Sequence, residues 1–179
     1  MPLPRLIILA AAATLAAPQI AAAQAEPPCI TASEFTALAT YALPGAIDGT
    51  TRTCAPTLPA NAYLRNHGSE LAARYAAGRD EVWPEAKAAF LKMSAATDPD
   101  TANLFAAMPD DNLRQIADAA LSGIAASKVK PGSCATIDRM IALLAPLPAA
   151  NTAELIAVLA GLGSKTGEAR FGKYSLCKA

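Results

Sequence analysis

The chain has 179 residues, 53% of them hydrophobic and 17% charged, with 15 basic against 15 acidic side chains. The zero net charge and the lack of a basic patch argue against nucleic acid or an anionic lipid surface as a partner. The length suits one domain able to bury a core of its own.

Residues 1–25 read as a cleavable secretory signal. Arg5 carries the only charge of that segment, Leu6 to Ala17 is apolar, and small residues from Ala21 to Ala25 close it. The apolar run is shorter than the roughly 20 residues that span a bilayer. Ala21-Ala22-Ala23 and Ala23-Gln24-Ala25 both fit the A-x-A cleavage pattern. The polar, extended start Glu26-Pro27-Pro28 favours Ala25 as the last residue removed. Cys29 follows those three residues rather than small ones, so no lipid attachment is expected there. The reading places residues 26–179 in the periplasm or outside the cell, as a single domain with no stable membrane insertion after cleavage.

That domain is rich in alanine and poor in β-branched and aromatic residues, which favours helix. The apolar spacing predicts a first helix over Thr31 to Leu43, with Thr31 and Glu34 as a capping box and Pro44-Gly45 as its end. Ile47 to Pro59 reads as loop. A second helix is expected from Asn61 to Gly78, with Leu64, Leu71 and Tyr75 on one face. A third runs from Asp80 to Ala95, with Pro84 near its start and Val82, Ala86, Ala89, Phe90 and Met93 inward. Asp98-Pro99-Asp100 opens a short fourth helix, which Met108-Pro109 ends. The fifth, Asp110 to Ser127, has the cleanest pattern: Leu113, Ile116, Ala117, Ala120, Leu121 and Ile124 form one stripe. Ser133 is read as the cap of a sixth helix carrying Ile137, Met140, Ile141 and Leu144. Asn151 and Glu154 are read as the cap of a seventh, with Leu155, Val158, Leu159 and Leu162 on its core face. Gly161 to Gly172 reads as loop, and the tail as tied down through Cys177. The expected fold is an all-α, single compact bundle of six or seven short helices, stapled by two disulfides.

All four cysteines follow the leader: Cys29, Cys54, Cys134 and Cys177. An even number in an exported chain reads as disulfides, and three pairings are open. The expected one joins Cys29 with Cys54 and Cys134 with Cys177, because each pair brackets a short stretch and closes a local loop. There is no C-x-x-C, so neither a redox motif nor haem attachment is indicated.

Catalytic motifs are sparse. His67 is the only histidine, so Ser-His-Asp or Cys-His chemistry would have to run through it. It lies in a polar cluster with Asn66, Ser69 and Glu70 and reads first as a boundary residue. One histidine does not make a zinc site, and no cofactor is indicated. Ser127-Lys128-Val129-Lys130 and Lys165-Thr166-Gly167 mimic the S-x-x-K and K-T-G strings of penicillin-binding enzymes, but S-D-N is missing and the spacing is far too short. Gly161 to Thr166 lacks the glycine before lysine that a phosphate loop requires. The acid pairs Asp80/Glu81, Asp98/Asp100 and Asp110/Asp111 each begin an expected helix, where carboxylates serve as caps. Trp83 reads as an interhelical packing residue.

The stretch Lys130-Pro131-Gly132-Ser133-Cys134, the later Leu144-Ala145-Pro146-Leu147-Pro148 and the C-terminal cysteine resemble short alanine-rich exported proteins of alphaproteobacteria. The resemblance covers mainly the last third. It implies a bacterial periplasmic setting and no particular chemistry.

The functional expectation is a non-catalytic binding or interaction module whose partner is an envelope protein, a peptide or a small apolar ligand. An envelope hydrolase or lyase using Glu70 and His67 is the alternative. A stress or folding factor, exposing apolar helix faces in acid or heat, is a third.

Overall fold

Thr31 starts the longest helix. Its hydroxyl accepts the Glu34 N–H at 3.2 Å and the Glu34 carboxylate accepts the Thr31 N–H at 2.9 Å, which is the expected capping box. In the computed structural model, which describes residues 29–162, 170–171 and 174–177, this helix does not stop at Pro44-Gly45. It runs on as α1, Ala32–Cys54, with Pro44 buried inside it. The leader, the Lys165-Thr166-Gly167 string and most of the expected Gly161–Gly172 loop lie outside the described residues, and Gly161 itself belongs to the last helix.

The other helices are α2 (Tyr63–Ala76), α3 (Arg79–Thr97), α4 (Pro99–Ala106), α5 (Asp110–Lys128), α6 (Cys134–Leu144) and α7 (Ala149–Leu162). A 3-10 turn, Pro131–Ser133, precedes α6. Two short strands, β1 (Arg170–Phe171) and β2 (Tyr174–Ser175), pair antiparallel near the end of the chain. The protein is all-α in class, as expected.

α1 is the axis of the molecule, and α2, α3, α5 and α7 all pack on it. Its first half buries Phe35, Leu38 and Tyr41 in one core with Trp83, Ala86, Leu113 and Ala117. Its second half buries Ile47 and Cys54 in another core with Leu64, Leu71, Tyr75 and Cys134. This explains why Pro44 fails to end the helix. A mid-helix proline costs about 3 kcal/mol. Burying Ile47 alone returns about 1.5–3 kcal/mol, and the turn it belongs to carries the rest of the second core. Gly45 and Gly49 mark close packing instead of a break. A Cβ on Gly49 would stand 2.8 Å from the Ser122 carbonyl oxygen of α5.

The disulfides differ from the expected pairing. Cys29 is bonded to Cys177, and Cys54 to Cys134. The reason is the length of α1: 23 residues at 1.5 Å each make a rod of about 35 Å. Cys29 and Cys54 stand at its opposite ends, far beyond the roughly 7 Å Cα separation a disulfide tolerates. Each instead pairs with the cysteine that the fold brings to its own end of the rod. At the Cys29 end, Ile30 and Leu176 form an isolated parallel bridge and the Cys177 N–H donates to the Ile30 carbonyl at 2.9 Å.

Several expected caps are absent: α3 and α5 start from Gly78 and Pro109, so Asp80/Glu81 and Asp110/Asp111 lie inside the first turns and cap nothing. Ser133 has helical dihedrals and makes no side-chain cap. Asn151 lies inside α7, which begins at Ala149 after Pro148, whose carbonyl accepts the Thr152 N–H at 3.0 Å. The expected core face of α7 is also rotated. Thr152 and Ala153 are buried, whereas Leu155, Val158 and Leu159 are 39%, 51% and 59% exposed. On α5, Leu113 and Ala117 are buried but Ile116 and Ile124 are exposed. An alanine-rich sequence gives weak contrast between faces, so the hydrophobic period alone does not say which side meets α1.

Candidate functional site

His67 and Glu70 are brought together, with Nδ1 and Oε2 3.5 Å apart, on α2. His67 lies at the edge of the face formed by Leu64, Gly68, Leu71 and Tyr75, which the helix buries, and Glu70 lies farther round toward solvent. Their side chains are 55% and 77% exposed. The Tyr63 ring stands 5.1 Å from the imidazole. At that exposure water is not excluded from the pair, as it is in sites built for acid–base catalysis. Asn66 from the same cluster is structural: its amide donates to the Ala60 and Ala62 carbonyls, both at 2.9 Å.

The acids take up helix-end and ion-pair work. Asp98 caps α4, accepting from the Asp100 N–H and the Thr101 hydroxyl. The Thr101 hydrogen bond holds its carboxyl below the usual range. Asp110 accepts from Lys87 at 2.6 Å and from the Trp83 indole at 3.1 Å, and these bonds lower it likewise. Asp80 pairs with Arg114. Among the described residues no group of three or more His, Cys, Asp or Glu is placed to hold a metal ion. Ser127 donates to the Ile124 carbonyl at 2.9 Å at the end of α5.

Trp83 packs between helices, as expected. Its ring lies 4.9 Å from Tyr41. Arg114 stands 4.7 Å over Trp83 and Arg79 4.0 Å over Tyr41, with Arg79 paired to Asp118. Burial, and then the Asp118 carboxylate, push the Tyr41 phenol up to about 12. It stays protonated at neutral pH and offers no base. This stack joins α1, α3 and α5 and reads as structure.

The feature that sequence reasoning missed lies between α6 and α7. Only the short segment Ala145 to Pro148 joins these helices, yet α6 packs on α2 and α7 on α1. The turn between them is pinned from below. Arg74 donates to the Ala145 carbonyl. The Tyr75 hydroxyl lies 3.0 Å from the Leu147 carbonyl, 3.3 Å from that of Leu144 and 3.1 Å from the Thr152 hydroxyl. The helices diverge around a cavity of about 160 Å3 whose lining includes Leu43, Ile47, Leu71, Ile141, Leu144 and Ile156. Five of the eight large apolar side chains exposed among the described residues stand on these same two helices: Met140, Leu143, Leu155, Val158 and Leu159. The apolar stripes of α6 and α7 were legible in the sequence. Their failure to close on each other was not.

A larger groove of about 650 Å3 runs between α1, α3 and α7 beside Cys177, with Glu85 and Glu154 among its lining residues. Compared with protein-family models, curated proteins and solved structures, the chain matches none. The functional reading therefore rests on its own geometry. Among the described residues no helix is long and apolar enough to cross a membrane. Two disulfides suit an oxidising compartment.

Proposed function

We propose that this is an exported, non-catalytic binding protein whose α6–α7 face takes up an apolar partner of the cell envelope. The observation that carries the reading is the exposure of Met140, Leu143, Leu155, Val158 and Leu159 on two consecutive helices. Single apolar residues on a surface need no explanation, but five of the eight large exposed ones among the described residues fall on these two helices. The leader reading of residues 1–25, with cleavage after Ala25, and the two disulfides support a periplasmic or secreted setting.

The test uses the oxidised chain 26–179, immobilised and challenged with envelope fractions, beside a Leu155→Glu/Leu159→Glu variant. Both positions are exposed, so the variant keeps the fold, which circular dichroism checks. Retention of a protein, peptide or lipid by the wild type and its loss in the variant is the expected result. Equal retention by both, or none by either, overturns the proposal.

A further inference from the structure

We infer that the cavity beneath the α6–α7 face is an anchor pocket for one uncharged apolar group of phenyl or short branched-alkyl size. It deepens the binding reading above and rests on it for biological sense, but its physical test stands apart.

Size comes first. The cavity holds about 160 Å3. A sealed apolar cavity of about 150 Å3 admits benzene or xenon, and this pocket, which is open on one side, has room for a group of that size.

Lining chemistry comes second. Ile47 and Leu71 are buried, and Leu43, Ile141, Leu144 and Ile156 are half-buried around the void. Two of the polar side chains that reach it, Tyr75 and Thr152, are engaged elsewhere. The Tyr75 hydroxyl is shared between the Leu147 carbonyl and the Thr152 oxygen, and Thr152 donates to the Pro148 carbonyl at 3.2 Å. Both hydroxyl protons are thus committed to partners outside the void, and apart from these two side chains and Thr50 the lining is aliphatic. A guest gains dispersion contacts that the lining otherwise lacks. A hydroxyl or charge directed inward, against the aliphatic lining, would lose water for little return.

Position comes third. The cavity has its floor on α1 and α2 and its remaining walls on α6 and α7, the helices that carry most of the exposed apolar residues. Binding surfaces concentrate their affinity where one apolar anchor fills a pocket surrounded by weaker contacts.

The experiment titrates benzene, and separately octanoate, into the oxidised chain 26–179 and follows the methyl resonances of Ile141, Leu144 and Ile156. Benzene is expected to shift these methyls saturably and to raise the thermal midpoint. Phenol, of similar shape, should bind no more tightly. Ala46→Leu projects extra carbon into the cavity from α1 and should weaken benzene at least tenfold. If that variant does not fold, Ala46→Val is the smaller filling and the wild-type titration still decides. Methyl shifts with benzene alone assign the pocket to a free small apolar molecule. Shifts with octanoate as well assign it to the end of a chain, and either result supports the inference. No saturable shift with either compound, or equal shifts in the filled variant, overturns it. Benzene binding without envelope retention would leave the pocket and remove the partner reading. Retention without benzene binding would do the reverse.

Discussion

Asp138 of α6 accepts the backbone N–H of Leu64, at the start of α2, at 2.7 Å. The residue that should cap α2 is Ala62, whose side chain has nothing to offer. The helix thus borrows its cap from a residue 74 positions away. Losing a cap costs about 0.5–2 kcal/mol. Asp138→Ala should lower the urea unfolding free energy by that amount, and Asp138→Asn, which keeps an acceptor, by less. Equal losses in the two variants would mean that the hydrogen bond is not what stabilises this junction.

Disulfide topology is directly measurable. Proteolysis without reduction should yield a Cys29 peptide linked to a Cys177 peptide and a Cys54 peptide linked to a Cys134 peptide. In the chain-entropy model, the loops of 148 and 80 residues correspond to about 5 and 4.5 kcal/mol of stabilisation. Replacing either pair by alanine should cost several kcal/mol in chemical denaturation. A peptide linking Cys29 to Cys54 would contradict the continuity of α1.

Two glycine substitutions should have opposite signs. Gly49→Ala sets a Cβ 2.8 Å from the Ser122 carbonyl, and backbone must move to relieve it. Crowding of this kind costs about 1–3 kcal/mol, more than the helix propensity of alanine returns. A Cβ on Gly123 meets nothing within 4 Å, so Gly123→Ala should stabilise by about 0.5–1 kcal/mol. Thermal unfolding of the two variants against the wild type checks both. Destabilisation by Gly123→Ala would show that α5 has a neighbour on that side.

Acid should weaken the fold through particular carboxylates. Burial pushes the Glu34 carboxyl up, but hydrogen bonds from Lys92 and Thr31 outweigh it and leave the group below its ordinary 4.5. Asp110 is held below its ordinary 3.8, first by the hydrogen bond from Lys87 and then by that from Trp83. A carboxyl lowered by folding contributes stability that is complete above its unfolded value and is lost as pH falls toward the folded one. The urea midpoint should hold steady above about pH 5 and fall below it. Lys92→Met removes the partner of Glu34 and should flatten that fall. An unchanged slope in the variant would assign the acid sensitivity to other groups.

Much was legible without coordinates. Thr31 and Glu34 announce the first turn of α1, Asp98 announces α4, and proline and glycine mark most of the short connections. Local chemistry settles such features, because a side chain capping its own helix needs no distant partner. The helical class follows from the same source, since alanine-rich periodic segments with few β-branched residues have no better option than helix.

What the sequence determined, then, is the list of helices, an even set of cysteines and a leader-like start. Tertiary structure decided the rest. It carried α1 through Pro44, because two cores on either side of that residue outweigh one lost hydrogen bond. That extension separated Cys29 from Cys54 by the length of the helix and sent each to a partner across the fold. It also decided which face of α7 met α1, and so which apolar residues stayed outside. The physical reason is the same each time. Burial energy belongs to the surfaces that meet, and two segments far apart in a chain carry no mark of meeting until the rod between them has a length.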